Sequence, residues 1–357
     1  MTDPRADVIR QSFRIQARAC ADLGSLFTAR LCLLMADRLD EATPVGERLL
    51  TWPGDPSGKA DALALRIAGC LHALVLEGLS PALAACYPPA TASDDALWAA
   101  CLSAFTTRGD VLIERLDSPP QTNEVRRSGA LLPGFLAICS MFGLPLALSE
   151  IGSSAGLNLQ WDRYRYDLGG FAWGDAGSAV DIRPDWQGPR PEAAKVVVAE
   201  RAGCDLNPLD CADARDRSRL MSYVWADQAD RLARLVHAMD IAAKNRLHVE
   251  RADAIDWLGR RLSVNRPGVT HVVFHSIAWQ YLPASSRAEG SRLIGQAGSR
   301  ASREAPMAWL MMESDDKPEG AALTLQVWPG GEKQAIGRAD FHGRWVRWTG
   351  WPKTGLS

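Results

Sequence analysis

The chain has 357 residues, 47% of them hydrophobic and 23% charged, an ordinary globular composition with enough length for two domains or one large one. Its formal net charge of -2 gives no electrostatic footprint of a nucleic-acid or anionic-membrane partner. The eight cysteines contain no C-x-x-C pair and read as buried thiols, with no metal site expected. The polar start MTDPRADVIRQ has no signal-peptide core, so a cytoplasmic protein is expected.

Taken in chain order, residues 7 to 116 read as helical. Val8–Met35 places Ile15, Ala19, Leu23, Leu26, Phe27, Leu31 and Leu34 near a 3.6-residue period. Ala62–Glu77 and Asp94–Leu116 read the same way, between the Pro/Gly breaks at Trp52–Gly58 and Tyr87–Thr91. Pro119 and Pro120 forbid a continuous helix across the polar segment Asp117–Ser128. An N-terminal helical domain over residues 1–128 is predicted.

From Leu131 the pattern alternates between strands and helices. Leu131–Ser149 is broken by Pro133, Gly134, Gly143 and Pro145, and reads as a buried helix and then a strand, not a membrane span. The predicted strands are Leu146–Ile151, Lys195–Ala199, Arg246–Glu250, Val269–His275 and Met307–Met312. Leu323–Trp328 and Arg344–Trp348 are expected to pair as an antiparallel hairpin across Gly330–Gly331 and a polar excursion. Arg215–Lys244 reads as one long amphipathic stretch, and residues 168–191, rich in Gly, Pro, Asp and Trp, as an inserted excursion. The expected fold is α/β: a Rossmann-like, mostly parallel sheet over residues 129–357, with a C-terminal antiparallel hairpin, preceded by the helical domain.

The functional question centres on LALSEIGSSAGLNL, Leu146–Leu159: an apolar run ending in an acid, then a turn of small residues. A strand entering such a turn is how α/β proteins bring backbone close to a cofactor. Glu150, Gly152, Ser154 and Gly156 resemble the first motif of class I methyltransferases, with Ser154 where glycine is usual. The G-x-G-x-x-G dinucleotide fingerprint fails, because Ser154 and Leu157 occupy its second and third glycine positions. Gly152–Gly156 is also a literal G-x-S-x-G, the serine turn of lipase-like esterases. Position separates these readings: a hydrolase elbow follows several strands and an HGGG-type loop, whereas this turn follows the first predicted strand and no HGGG occurs. A non-catalytic structural turn is the third reading.

Acids follow at later strand ends. AGCDLNP resembles the end of the second strand in class I methyltransferases, which implies that Asp205 would pair with the ribose diol, where a carboxylate accepts from two vicinal hydroxyls. It lies 55 residues after Glu150 (205 minus 150), beyond the roughly 20 of the dinucleotide rule. The excursion accounts for the excess; Asp167 is better spaced but poorly flanked. An Asx-turn or helix cap is the alternative for Asp205, and a helix cap that for Asp253, the candidate for the adenine amino group. His275 and Ser276 end the fourth predicted strand, where a substrate would lie, so His275 is a candidate general base or a satisfied structural residue. Trp279 and Tyr281 would pack in the core or shape the pocket. In QTNEVRR, Asn123, Glu124, Arg126 and Arg127 are dense in hydrogen-bonding groups and would fold over that pocket, or else form a solvated connector.

QTNEVRR, EIGSSAGLNLQWDRYRY, GCDLNP and VVFHS with WQYL together resemble an uncharacterised bacterial family, domain of unknown function 2332, over almost the whole chain. The resemblance implies a class I methyltransferase-like core, favours a pocket role for QTNEVRR, and implies nothing about a substrate. The leading expectation is an S-adenosylmethionine-dependent methyltransferase acting on an unidentified small molecule or protein, with no nucleic-acid or membrane partner. The alternatives are a serine esterase with Ser154 as nucleophile and a binding protein without chemistry on the same fold.

Overall fold

Local sequence starts and stops the first helices of the computed structural model, which describes residues 4–352. α1 (Pro4–Asp22) ends before Gly24, whose φ of +86° terminates it, and Ser25 caps α2 (Leu26–Arg38) by accepting from the Thr28 N–H. The predicted stretch Val8–Met35 is therefore two helices, not one. The buried face of α1 is Ile9, Phe13, Ala17 and Cys20, while Ile15, placed on the predicted apolar stripe, is 56% exposed. Thr43 caps α3 (Pro44–Leu50), with proline in its first turn. α4 (Leu63–Leu76) and α5 (Pro81–Ala84) follow. Ser93 caps α6 (Asp94–Thr107), and the chain turns at Arg108 into α7 (Gly109–Leu116), which splits the predicted helix Asp94–Leu116.

The chain forms two units. One comprises residues 4–122 with Ala214–Ala233; the other comprises Asn123–Asp213 with residues 234–352. The helical unit takes in α9 (Ala214–Ser222), which packs on α4, where the buried His72 Nδ1 meets the Ser222 carbonyl at 3.2 Å. Arg215–Lys244, expected as one stretch, breaks at residues 223–228 before α10 (Ala229–Lys244). The cause is tertiary: Asp227 in the break accepts from Ser25 Oγ at 2.6 Å and the Phe27 N–H at 2.8 Å. All eight cysteines are buried and unbridged.

The second unit begins with α8 (Arg127–Phe142), followed by β1 (Leu146–Ile151). β2 (Arg165–Asp167) runs into the excursion, which supplies β3 (Ala172–Gly174), β4 (Asp181–Ile182) and β5 (Asp185–Gln187). β2, β3 and β4 make a small separate sheet, and β5 joins the main one. β6 (Val198–Asp205) replaces the predicted Lys195–Ala199. Hydrogen bonding to β1 carries the strand through the charged Glu200 and Arg201 to Asp205, which apolar patterning alone does not show. β7 (Glu250–Arg251), α11 (Ala254–Ser263), β8 (Thr270–Ser276), α12 (Ala284–Ser299) and β9 (Met307–Glu313) complete the parallel part.

The tail corrects the predicted hairpin. β10 (Ala321–Trp328) pairs across Gly330–Gly331 with β11 (Glu332–Ala339), the segment expected to be an excursion, and β12 (Trp345–Trp348) pairs with β11. The polar face of β11 hid it, since one side of an antiparallel sheet tolerates water. The nine strands run β5-β12-β11-β10-β9-β8-β1-β6-β7, mostly parallel. α8 covers one face: its Phe135 stacks on Trp161 at 4.4 Å and meets Phe274 edge-on at 5.2 Å. α11 and α12 cover the other, with Trp257, Leu258 and Ile294 in one cluster with Val273, Met307 and Trp309. No helix of the described residues is long and apolar enough to cross a membrane.

Candidate functional site

Numbered along the chain, the five parallel strands β1, β6, β7, β8 and β9 lie side by side in the order 3-2-1-4-5. The order reverses between β1 and β8, and in open α/β sheets a ligand crevice forms beyond the carboxyl ends of the strands at such a switch point. Glu150 ends β1 there, Asp205 ends β6, Asp253 follows β7, and His275 with Ser276 ends β8.

The turn after β1 is left-handed at three positions: Gly152 (φ +64°), Ser154 (φ +54°) and Gly156 (φ +70°). A Cβ on Gly152 would stand 2.7 Å from Ala278 Cβ, and one on Gly156 2.5 Å from Leu247 Cδ2, so both glycines are required by conformation and by close approach. Ser154 has no such excuse for its φ. Its N–H donates to Asp205 Oδ2 at 2.9 Å and its carbonyl accepts from the Leu209 N–H at 3.2 Å, which holds it in place. The chain then enters a 3-10 helix at Leu157–Arg163, not an α-helix.

Polar groups of this turn are buried without partners. Glu150 is 2% exposed and its Oε2 makes no hydrogen bond; Ser154 Oγ and Asn158 Oδ1 are in the same state. Burial, reinforced by the Asp205 charge and opposed by that of Arg127, pushes the Glu150 carboxyl well above its ordinary value. Asp205 also accepts from the Asn207 N–H through Oδ1, an Asx-turn, so its two oxygens hold the two turns together. Asp253 caps α11, its Oδ1 accepting from the Ile255 and Asp256 N–H groups.

The QTNEVRR segment folds back on this turn from Asn123 onward. Asn123 Oδ1 accepts from the Leu157 N–H at 2.9 Å, and the Glu124 carbonyl accepts from Asn158 Nδ2 at 3.3 Å. Glu124 is buried and its Oε1 accepts from the Arg126 N–H, whereas Arg126 is half-buried at the head of α8. The neighbouring Arg127 is the more engaged arginine: it donates to the Ser276 carbonyl at 3.1 Å and the Phe341 carbonyl at 2.9 Å. It joins the end of β8 to the loop after β11.

His275 is fully buried. Trp309 Nε1–H, a donor only, reaches its Nε2 at 3.0 Å, so the proton of the neutral ring lies on Nδ1, 2.7 Å from Glu313 Oε1. Trp279 stacks on the ring at 4.9 Å. Both nitrogens of the expected general base are thus taken by protein groups. Ser276 is buried and contributes its carbonyl to Arg127. Tyr281 is 69% exposed on the turn that follows.

Glu313, absent from the sequence-based candidates, organises this corner. Besides His275 it accepts from the Ala278 N–H at 2.9 Å and the Trp279 N–H at 3.0 Å. Burial works to raise its carboxyl, but the His275 bond and these backbone donors outweigh burial and hold it below the usual range. Its signal was visible: MAWLMME is an apolar strand ending in an acid, the same pattern as LALSE. Asn158 also emerges from the geometry; Arg127 stands beside Arg126 among the sequence-based candidates, and nothing local sets the two arginines apart. No cluster of three or more metal-ligating side chains occurs among the described residues.

Fold and site together define an α/β protein with a Rossmann-type strand order, in which Glu150, Asp205 and Asp253 stand near the carboxyl ends of the parallel strands around the switch point. Residues 10–348 match the model of an uncharacterised protein family conserved in bacteria, DUF2332, and the chain belongs to that family. No curated protein and no solved structure matches it.

Proposed function

We propose that this protein binds S-adenosylmethionine at the carboxyl ends of β1, β6 and β8 and transfers its methyl group to an acceptor held beside β8. The observation that carries the reading is the set of buried oxygens without donors around one turn: Glu150 Oε2, Ser154 Oγ and Asn158 Oδ1. Unsatisfied buried acceptors are costly, and a set of them in a strand-end turn calls for a ligand that donates. An amino-acid ammonium does so, and it would draw Glu150 into its ionised form. Each Asp205 oxygen keeps a second lone pair for the ribose diol, and the exposed Leu206 beside it (62%) offers an apolar face to the adenine. Asp253 stands at the next strand end for the adenine amino group.

When bound, the cofactor supplies a methyl group on a sulfonium, already activated for in-line displacement. The chain's own contribution is then position and exclusion of water. With both ring nitrogens engaged, His275 serves as a positioning residue, holding Glu313 and through it the Ile277–Gln280 loop against Gly152. Ser276 presents its backbone at the crevice, while Asn123, Glu124 and Arg126 close it from the α8 side and Tyr281 borders the acceptor.

The esterase reading has one observation in its favour, the positive φ of Ser154, as expected of a strained nucleophile elbow. Against it, Ser154 Oγ is buried and bonds no base.

The test is calorimetric titration with S-adenosylmethionine and its demethylated product in buffers of different ionisation enthalpy. Saturable binding with release of about one proton, lost in Glu150→Gln, is expected. No binding at roughly millimolar ligand overturns the reading. Stoichiometric labelling of Ser154 by a fluorophosphonate would replace it with the esterase.

A further inference from the structure

At the opposite end of the sheet lies a cavity of about 190 Å³, beneath the amino ends of β8 and β9 and between the last turns of α11 and α12. His271, the second residue of β8, lies there, about 16 Å along the strand from Ser276 at about 3.3 Å per residue. Cavities of about 150 Å³ accommodate benzene, so this one has room for a ring or a short chain plus a polar head.

Its chemistry is one-sided. The floor is apolar, with Ala297, Ala301 and Met307, and the wall carries Arg266, Arg300 and His271. Arg266 spends Nε on Glu200 and Nη1 on the Arg261 and Val264 carbonyls; Arg300 spends Nη2 on the Leu262 carbonyl. Arg266 Nη2 and Arg300 Nε and Nη1 bond no protein group among the described residues. Glu200, the acid beside Arg266, also pairs with Arg261 at 2.5 Å, so two guanidinium groups share one carboxylate, and Arg300 has no acid partner among the described residues.

His271 is the buried polar group of the wall, 7% exposed. Ser149 Oγ accepts from Arg261 Nε and Nη2, both at 3.2 Å, which occupies its lone pairs and leaves its proton for His271 Nε2 at 2.9 Å. Burial first, then the Arg266 and Arg261 charges, depress the imidazole to about 3, so at neutral pH it is uncharged with its proton on Nδ1. No group among the described residues accepts that proton.

We propose that this cavity is a second binding site, specific for a small monocarboxylate with an apolar tail. The carboxylate accepts from Arg300, from Arg266 Nη2 and from His271 Nδ1–H, and the tail lies on Ala297, Ala301 and Met307. Guanidinium suits the head because its planar fork matches two carboxylate oxygens. The apolar floor distinguishes the site from a phosphate or sulfate cradle, where donors would surround the ion. It shares no residue with the crevice at β1 and does not depend on what binds there.

The test titrates the full chain with benzoate, benzyl alcohol and inorganic phosphate, by calorimetry and by chemical-shift perturbation. Benzoate is expected to bind saturably and at least about tenfold more tightly than either of the others. Arg300→Gln, which removes head-group donors, and Ala297→Leu, which fills the floor, should each weaken benzoate by roughly tenfold or more. Glu150→Gln, at the other end of the sheet, should leave it unchanged. Absence of saturable benzoate binding by about 10 mM overturns the proposal, as does phosphate binding as tightly as benzoate, or wild-type affinity in both cavity variants. If one variant fails to fold, judged by circular dichroism, the other decides.

Discussion

Glu150 is the residue at which burial and chemistry meet most directly. Its carboxyl sits at the end of an apolar strand without a hydrogen bond to Oε2, and burial keeps it protonated well above the ordinary carboxylate range. An acid raised in this way binds a proton on folding. Its contribution to stability is fully present below about 4.5, the unfolded value, and is lost as pH rises through the folded value. Glu150→Gln keeps the shape and removes the titration. Urea unfolding at a series of pH values above 4.5 should show the wild type losing stability relative to this variant as pH rises; parallel curves would refute the assignment. The acid itself was legible in the sequence, because an apolar run that stops on Glu before a small-residue turn is a local pattern. Its orphaned state was not, since that depends on Asp205 and Arg127 arriving from distant segments.

Elements in this fold meet through glycines as much as through apolar stripes. α8 lies on the sheet with Gly134 against Leu310 of β9, where an added Cβ would come within 2.6 Å of a leucine methyl. Gly134→Val should therefore cost about 1–3 kcal/mol by overpacking, read as a shift in the urea midpoint. Combining it with Leu310→Ala should recover part of that loss, because the two substitutions share one space. The elements read in advance are those whose pattern is local: β1, β8 and β9 are continuous apolar runs, and α4 and α6 lie within predicted amphipathic stretches. The missed ones depend on partners. β11 has little apolar periodicity and is a strand because β10 and β12 flank it. β6 runs through Glu200 and Arg201 because β1 supplies its hydrogen bonds.

At the scale of the molecule, the chain leaves its helical unit after Thr122 and returns to it for Ala214–Ala233. The returning piece is not ornamental: Asp227 holds Ser25 and Phe27, Ser222 meets His72, and Tyr223 lies on Gly69. A fragment of residues 1–122 should therefore lack a cooperative thermal transition by circular dichroism, although most of the helices of that unit lie within it. A sharp transition in that fragment would show the return to be dispensable. No composition shift announces this crossing, because the residues that make it look like any amphipathic helix.

What this sequence determined by itself was local: the α/β class, the apolar strands, the helical character of the N-terminal residues, the small-residue turn at Gly152–Gly156 and the acids Glu150 and Asp205. Periodicity, capping and turn chemistry are written in neighbouring residues, so they survive without the fold. The tertiary structure alone decided which of those residues act together. It placed Asp205 on the Ser154 N–H, chose Arg127 over Arg126 for the end of β8, enclosed His275 between Glu313 and Trp309, and opened a cationic cavity at the far end of the same strand. Each of these depends on strand order and on hydrogen bonds between residues about 35 to 150 positions apart, which no local pattern encodes.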